Sequence, residues 1–458
     1  MPSCWGWTTA AWGVGLAWLS MTALALGHVA LVGHNVPFAD EWEFIPAAVG
    51  AEPLGPWLWR QHNEHRLPLP RLVWWLLFQG TRDFRTGMYA QVVALSALAA
   101  CLSVSAARRR GRAAWSDLFF PMALLHWGHH ENLRMGYQIN FVMFLVLAAG
   151  LLLIGILRRG PLQPLRDGLI AAALAASLML CGAAGLPFGV MIAGWLLVLV
   201  GWGWRWSSTH PWRDALVLFV LAIGLLAYPV VYFADYHRPP LHPPSAGVLA
   251  SAWVGLQVQT MAFGDVRWSW PISGVLMAAL AAATLGVLTR VWNRHPAERA
   301  RVLGVAFFLV ACGGMAFFIG WGRSGFDWHR HGLATTMGLW SRYGFLALPF
   351  VLACYFGWLE YGGARGRHRV PAALCLGACV ALVPNMLIGY HVNRGVAAEQ
   401  AAFEKDLRQG VPRRVLVATH LGNLGPRHPH YRWALAYLPL LRDARVGAFA
   451  HLRDDEAD

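Results

Sequence analysis

Residues 137–159 read Tyr-Gln-Ile-Asn-Phe-Val-Met-Phe-Leu-Val-Leu-Ala-Ala-Gly-Leu-Leu-Leu-Ile-Gly-Ile-Leu-Arg-Arg, with no charge before the closing Arg158-Arg159 pair. An apolar run of about 20 residues matches a ~30 Å hydrocarbon core at the rise of an α-helix. A helix also satisfies every backbone amide within its own segment, which a bilayer interior demands. Paired arginines at one end set which way such a segment lies. This stretch reads as a membrane span, and the pattern recurs on both sides of it.

The composition of the whole chain agrees. Of 458 residues, 57% are hydrophobic and only 13% are charged, with a mean hydropathy of +0.44. Soluble chains carry roughly a quarter charged residues, so a soluble enzyme, a disordered protein and a coiled coil are all excluded. The net charge of +14 is carried almost wholly by arginine, Lys405 being the only lysine. No basic stretch is interleaved with aromatics as a nucleic-acid groove requires, so nucleic acid is not an expected partner. The seven cysteines (4, 101, 181, 312, 354, 375 and 379) lie within or beside apolar runs and read as packing residues.

The expected fold is an all-α polytopic membrane protein. Eleven spans are predicted, at 10–33, 87–106, 114–128, 137–157, 168–185, 187–204, 214–233, 271–290, 301–320, 342–359 and 370–390. The first lacks a basic leader and reads as a retained anchor rather than a signal peptide. Loops 107–113, 158–167, 205–213, 290–301 and 361–369 hold sixteen arginines, Arg205 among them. All five fall on one face, which the positive-inside rule makes cytoplasmic. The N-terminus is then inside, and a small tail, 391–458, lies outside a membrane domain of 1–390. A twelfth span at 246–264 would reverse the 290–301 cluster, so that stretch is predicted to be re-entrant or interfacial. Internal repeats, including the inverted kind of many transporters, are not visible.

Titratable groups gather on the opposite face, in four stretches. The first is Phe38-Ala39-Asp40-Glu41-Trp42-Glu43, where crowded carboxylates beside apolar surface suit a base, a metal ligand or a shared proton. Read plainly, it is a solvated acidic loop. The second is Gln61-His62-Asn63-Glu64-His65-Arg66, in the long loop 34–86, leading into an interfacial helix with Trp74 and Trp75 at headgroup depth. His62, Glu64 and His65 have the residue types of a divalent metal site. The third, from Trp127 to Gln138, reads as a tight external turn with Glu131, Asn132 and Arg134, polar enough to line a cavity. The fourth comprises Arg323, Asp327, His329, Arg330 and His331, then Ser341-Arg342-Tyr343, where arginine can take a phosphate in its fork or simply snorkel to headgroups. Together they suit deprotonation of a hydroxyl while a phosphate leaves. Walker, G-x-S-x-G and Rossmann patterns are missing from suitable settings, so ATP-driven and serine-hydrolase chemistry lack support.

An acidic pair beyond the first span, an interfacial helix in the first external loop, some eleven spans and an external tail resemble the GT-C superfamily of membrane glycosyltransferases. That superfamily includes the protein O-mannosyltransferases and the lipid A aminoarabinose transferases. Asp40-Glu41-Trp42, Asn63-Glu64-His65-Arg66, Glu131-Asn132 with Gly136-Tyr137-Gln138, Ser341-Arg342-Tyr343 and the closing Leu441-Arg442-Asp443 are similar to a bacterial group assigned there. The resemblance implies a protein of the bacterial inner membrane that moves a sugar from a polyprenyl-phosphate carrier to a lipid or glycan acceptor on the periplasmic face. It places the general base, or a metal ligand, on Asp40 with Glu41 competing. Arg342, assisted by Arg66 or Arg134, would stabilise the leaving phosphate, with Glu64, His65, Glu131, Asn132, Gln138 and Tyr343 lining the site and a divalent metal as an optional cofactor. Two other readings stand beside it. One is a transporter or flippase of a lipid-linked saccharide; the other is a different external transferase, such as an O-antigen polymerase or ligase.

Overall fold

The computed structural model describes residues 8–202, 210–453 and 455; Cys4 and Arg205 lie outside them. The structure is 81% helical, with no strand among the described residues. This is the all-α, multi-pass membrane architecture expected from the apolar runs. Nine described helices are long and apolar enough to cross a bilayer. In chain order the main helices are α1 (Thr9–Val32), α2 (Pro68–Thr81), α3 (Arg85–Arg110), α4 (Gly136–Ile156), α5 (Pro164–Leu180) and α6 (Ala183–Gly201). They continue with α7 (Pro211–Tyr232), α8 (Val248–Thr260), α9 (Ile272–Arg294), α10 (Arg299–Arg323), α11 (Gly344–Tyr361) and α12 (Gly363–Arg408).

Two predicted spans take a different form. Residues 168–185 fall largely in α5, whose 17 residues make it shorter than its neighbours. Residues 114–128 are not one helix. They form a turn at Trp115–Leu118 and a six-residue helix at Phe119–Leu124, followed by further single turns as far as Gln138. Asp117 is bonded to Arg110 at one end of α3, with N···O distances of 3.0 Å, while Gly136 packs on Gly87 at the other. Because Gly87 and Arg110 are about 34 Å apart along a helix, this chain climbs the full height of the bundle in broken pieces. The expected tight external turn is the upper part of that climb.

The physical reason is polar crowding: His126, His129, His130, Asn132 and Arg134 could not face lipid from a regular helix. Here the loosened backbone is satisfied from within. Gly128 N–H donates to His126 Nδ1 (3.0 Å), the His129 ring lies 2.9 Å from Ala123 O, and Gln91 donates to Met135 O (2.7 Å).

Segment 246–264 enters the bundle and turns back. Helix α8 descends against α10, so closely that a Cβ on Gly320 would lie 2.0 Å from Ser251 O, and Gln259 donates to Cys312 O half-way along α10. The chain then returns, bringing Trp270 edge-on to Trp253 (4.9 Å) before α9 begins. Asn385 of α12 pins the tip: its Oδ1 accepts from Asp265 N–H (2.7 Å) and its Nδ2 donates to Phe263 O (2.7 Å). Gly128 leaves room for this, since a Cβ there would sit 1.9 Å from Asn385 Oδ1. Asn385→Ala strands two buried backbone groups, at about 1–3 kcal/mol each. The variant is expected to melt several degrees lower in detergent, and a melting curve superimposable on wild type would contradict this.

At one end of the bundle the arginine loops meet. Arg109 pairs with Glu360 and donates to Leu157 O, Arg301 donates to Gly160 O, and the Tyr361 hydroxyl donates to Glu298 (3.2 Å). At the other end the loop 34–86 and the tail share a second apolar core around Phe44, Trp57, Trp74, Phe403, Leu438 and Phe449. A fully buried aromatic or leucine there contributes roughly 1.5–3 kcal/mol. Trp74 belongs to this core, buried and stacked on Phe78 (5.5 Å). The tail is built on α12, which passes residue 390 without a break, and on α13 (Arg413–Leu421) and α14 (Pro429–Asp443). Helix α14 packs on the acidic turn 39–44.

Candidate active site

The acidic turn Ala39–Phe44 opens with Ala39 at φ +50°, a left-handed conformation unusual for a residue bearing a Cβ. It sends the adjacent carboxylates in opposite directions. Glu41 is fully buried; its oxygens accept from Phe38 N–H (3.0 Å) and from Tyr137 N–H at the foot of α4 (3.1 Å). Burial outweighs these amides and pushes the Glu41 carboxyl up to about 7. Asp40 instead stays about one-third exposed (32%). Its Oδ2 lies 3.5 Å from His62 Nε2 and its Oδ1 lies 3.3 Å from His430 Nε2 of α14.

His62 and His65 face each other across a tight turn, each N–H donating to the other's carbonyl (2.7 and 2.8 Å), with Asn63 at φ +48° between them. That turn presents the His62 ring to Asp40 on one side and to Glu43 Oε2 (2.5 Å) on the other. Burial opposes charge on His62, but Glu43 and Asp40 overcome it and raise the imidazole to about 9. At neutral pH the group is an imidazolium between two carboxylates. Burial likewise opposes charge on Asp40, and hydrogen bonds to His430 and His62 hold it well below the usual carboxylate range. Glu43 is lowered too, burial being offset chiefly by His62, with Arg71 and Arg60 adding to it.

The raised His62 value carries a pH consequence. Its stabilisation is complete below the unfolded value of ~6.5 and is lost as pH rises through the folded value of about 9. Hydrogen exchange in residues 60–66 is therefore expected to accelerate between pH 7 and 10 beyond its intrinsic rise. Unchanged protection factors would contradict this.

Around this centre lies a basic rim. Glu64 pairs with Arg323 (2.6 Å) and His242 (3.2 Å), and Arg323 also donates to the Tyr343 hydroxyl (3.1 Å). Arg323 is within electrostatic range of Asp40 as well. Arg342 lies over the rings of Trp340 (4.9 Å) and Tyr343 (5.5 Å), while its backbone is fixed by Glu131 (3.2 Å) and Asn132 (3.3 Å). Arg134 lies over Phe38, two residues before Asp40, at 5.0 Å. Gln138 is buried beside Tyr137, and its Oε1 has no partner.

Arg66 stands apart. Its guanidinium donates to the carbonyls of Tyr232, Trp59 and Ala234, at 2.5–2.9 Å, clamping the first loop to the end of α7. The proposed metal ligands also diverge. His62 turns to Asp40 and Glu43, Glu64 to Arg323 and His242, and His65 is left with a buried Nδ1 and its imidazole lowered to about 4 by burial. Among the described residues no group of three or more His, Cys, Asp or Glu is arranged to hold a metal ion.

Two contributors escaped sequence reasoning. Glu43 stood in the acidic stretch, and its spacing of three from Asp40 was the signal for a shared partner. His430 lies 390 residues from Asp40, and nothing in the sequence ties the two.

No protein-family model and no curated protein matches the sequence.

Proposed function

We propose that this protein is a membrane glycosyltransferase of the GT-C type that moves a sugar from a polyprenyl-phosphate carrier to an envelope acceptor on its external face, the face opposite the arginine loops. The observation that carries the reading is Asp40: an ionised, partly open carboxylate held by two imidazoles at the edge of an arginine-bearing rim. In a single displacement, Asp40 accepts the proton of the acceptor hydroxyl as that oxygen attacks the anomeric carbon. The bond to the phosphate oxygen breaks on the opposite face, and prenyl phosphate leaves with the electron pair. One carboxylate base without a carboxylate nucleophile gives inversion.

His62 fixes the orientation of Asp40, and Glu43 holds His62 in its charged form. Arg342 and Arg134 are the groups assigned to the leaving phosphate, and both rest on aromatic faces rather than in carbonyl clamps. Arg66, committed to three carbonyls, is assigned to holding the loop. Glu41, closed off by two amides, is assigned to anchoring.

The test is mass spectrometry of envelope glycans from a deletion strain. A sugar mass lost on deletion and restored by wild type supports the reading, and an unchanged glycan profile counts against it.

A second reading, a flippase for a lipid-linked saccharide, draws on one specific feature. His130 and Asp265 (3.4 Å), with Asn385 and His126, form a buried polar group inside the bundle. Such groups are costly within a membrane and mark translocation paths in transporters. Translocation by the purified protein in liposomes without glycosidic bond formation would favour it.

A further inference from the structure

A cavity with a charged lining lies far from Asp40, at the arginine end of the bundle. It is an open-mouthed recess of about 520 Å³ where three stretches converge: residues 157–160 after α4, 291–301 at the junction of α9 and α10, and 360–363 at the junction of α11 and α12. Cavities that hold small ligands run from roughly 300 to 1,000 Å³. Arg109, Arg158, Arg159 and Arg301 line it, opposed by Glu298 and Glu360.

Capping of helix ends explains part of this set. Arg109 donates to Leu157 O and pairs with Glu360, Arg301 donates to Gly160 O and pairs with Glu298, and Arg158 pairs with Asp167. Such pairs satisfy the last carbonyls of a helix and need no ligand. Three features remain beyond capping. The recess between the turns is not filled by side chains. Arg301 Nε is buried and has no hydrogen-bond partner. Arg159 is exposed at the rim and adds a fourth positive charge, while Glu298, Glu360 and Asp167 offset only three. Arg109 is itself nearly buried, its side chain 7% exposed, so the floor of the cavity is fixed rather than a mobile surface side chain.

We infer that this cavity is a binding site for a phosphate group, drawn in by the positive charge of its arginines and contacted by the exposed guanidinium of Arg159. Its place at the helix ends is the level at which headgroups lie, where basic pockets between spans take anionic lipid phosphates. Two sources share that chemistry: the headgroup phosphate of an anionic phospholipid and a free phosphate ion.

The test uses full-length protein delipidated in detergent, with native mass spectrometry and thermal unfolding read against three probes: a short-chain phosphatidylglycerol, a short-chain phosphatidylcholine and inorganic phosphate. The expected result is saturable binding of phosphatidylglycerol, weakened about fivefold or more by Arg159→Glu, an exposed position whose change leaves the capping pairs intact. Inorganic phosphate that stabilises the protein and competes with the lipid also supports the site and names the free ion as a sufficient ligand. Phosphatidylglycerol and phosphatidylcholine binding alike would overturn the inference. So would phosphatidylglycerol binding that is indifferent to both Arg159→Glu and Arg301→Gln, or no binding of any probe by wild type. None of these readouts depends on the reaction proposed at Asp40.

Discussion

Asp40→Asn is expected to lower sugar transfer at least about a hundredfold with the protein still folded, the scale on which loss of a general base is felt. Asparagine is nearly isosteric and keeps a carbonyl oxygen for His62 or His430, so the turn at 39–44 has no steric reason to move. What it cannot do is carry charge or accept the acceptor's proton. A second effect accompanies the first. His62 is held near 9 by Glu43 and Asp40 together, and removing one carboxylate lowers that value towards the neutral range. The loosening of residues 60–66 should then begin at lower pH in the variant than in wild type. Activity and exchange are thus coupled readouts of one residue. Wild-type turnover in Asp40→Asn would remove Asp40 as the base, whatever the exchange data show.

Glu41→Ala is expected to act on stability instead. The side chain is fully buried, and its two oxygens close off the amides of Phe38 and Tyr137. Truncation leaves both N–H groups buried without partners, at about 1–3 kcal/mol each, and opens a void between the acidic turn and α4. A fall of several degrees in the melting temperature of the purified protein is the measurement. Glu41→Gln retains one acceptor oxygen and should fall between wild type and alanine, with turnover tracking the folded fraction. The opposite pattern, an unchanged melting temperature with turnover gone, would transfer the base to Glu41. The pH dependence has a definite sign. With its folded value raised to about 7 from an ordinary 4.5, Glu41 binds its proton more tightly in the folded protein, so its contribution to stability declines as pH rises from ~4.5 to 7.

The gross fold was legible because bilayer physics is severe. Uncharged runs of twenty residues have few alternatives, and arginine clusters such as Arg108–Arg112 and Arg158-Arg159 marked one end of the bundle correctly. Residues 114–128 misled because hydropathy counts apolar residues and not continuity. Pro121 and Gly128 lie among enough phenylalanine and leucine to imitate a span, while the polar run from His126 to Arg134 needed tertiary partners to survive at depth. At the site, the crowding of Asp40, Glu41 and Glu43 was visible, but the division of labour among them was not. It depends on the backbone of Ala39 and on Tyr137, His62 and His430, contacts made across 19 to 390 residues of sequence. Arg66 was misjudged for the same reason: a lone arginine beside histidines gives no hint that its guanidinium bridges Trp59 O of its own loop to the carbonyls of Tyr232 and Ala234 at a distant helix end.

Helix α12 runs for 46 residues without interruption, about 69 Å at 1.5 Å per residue, more than twice the hydrocarbon thickness. Its far half is therefore a spindle standing clear of the membrane, and what it carries is set by rotation as much as by reach. Each residue advances a helix by about 100°. A single residue gained or lost between 394 and 400 would swing the tail a quarter-turn around the spindle and take His430 away from Asp40. Seven residues would nearly restore the angle while lifting the tail by about 10 Å. The arrangement at the acidic turn is thus timed by the length of one helix, and the stretch of α12 that makes no contact with the site is as constrained in residue count as the site is in residue type.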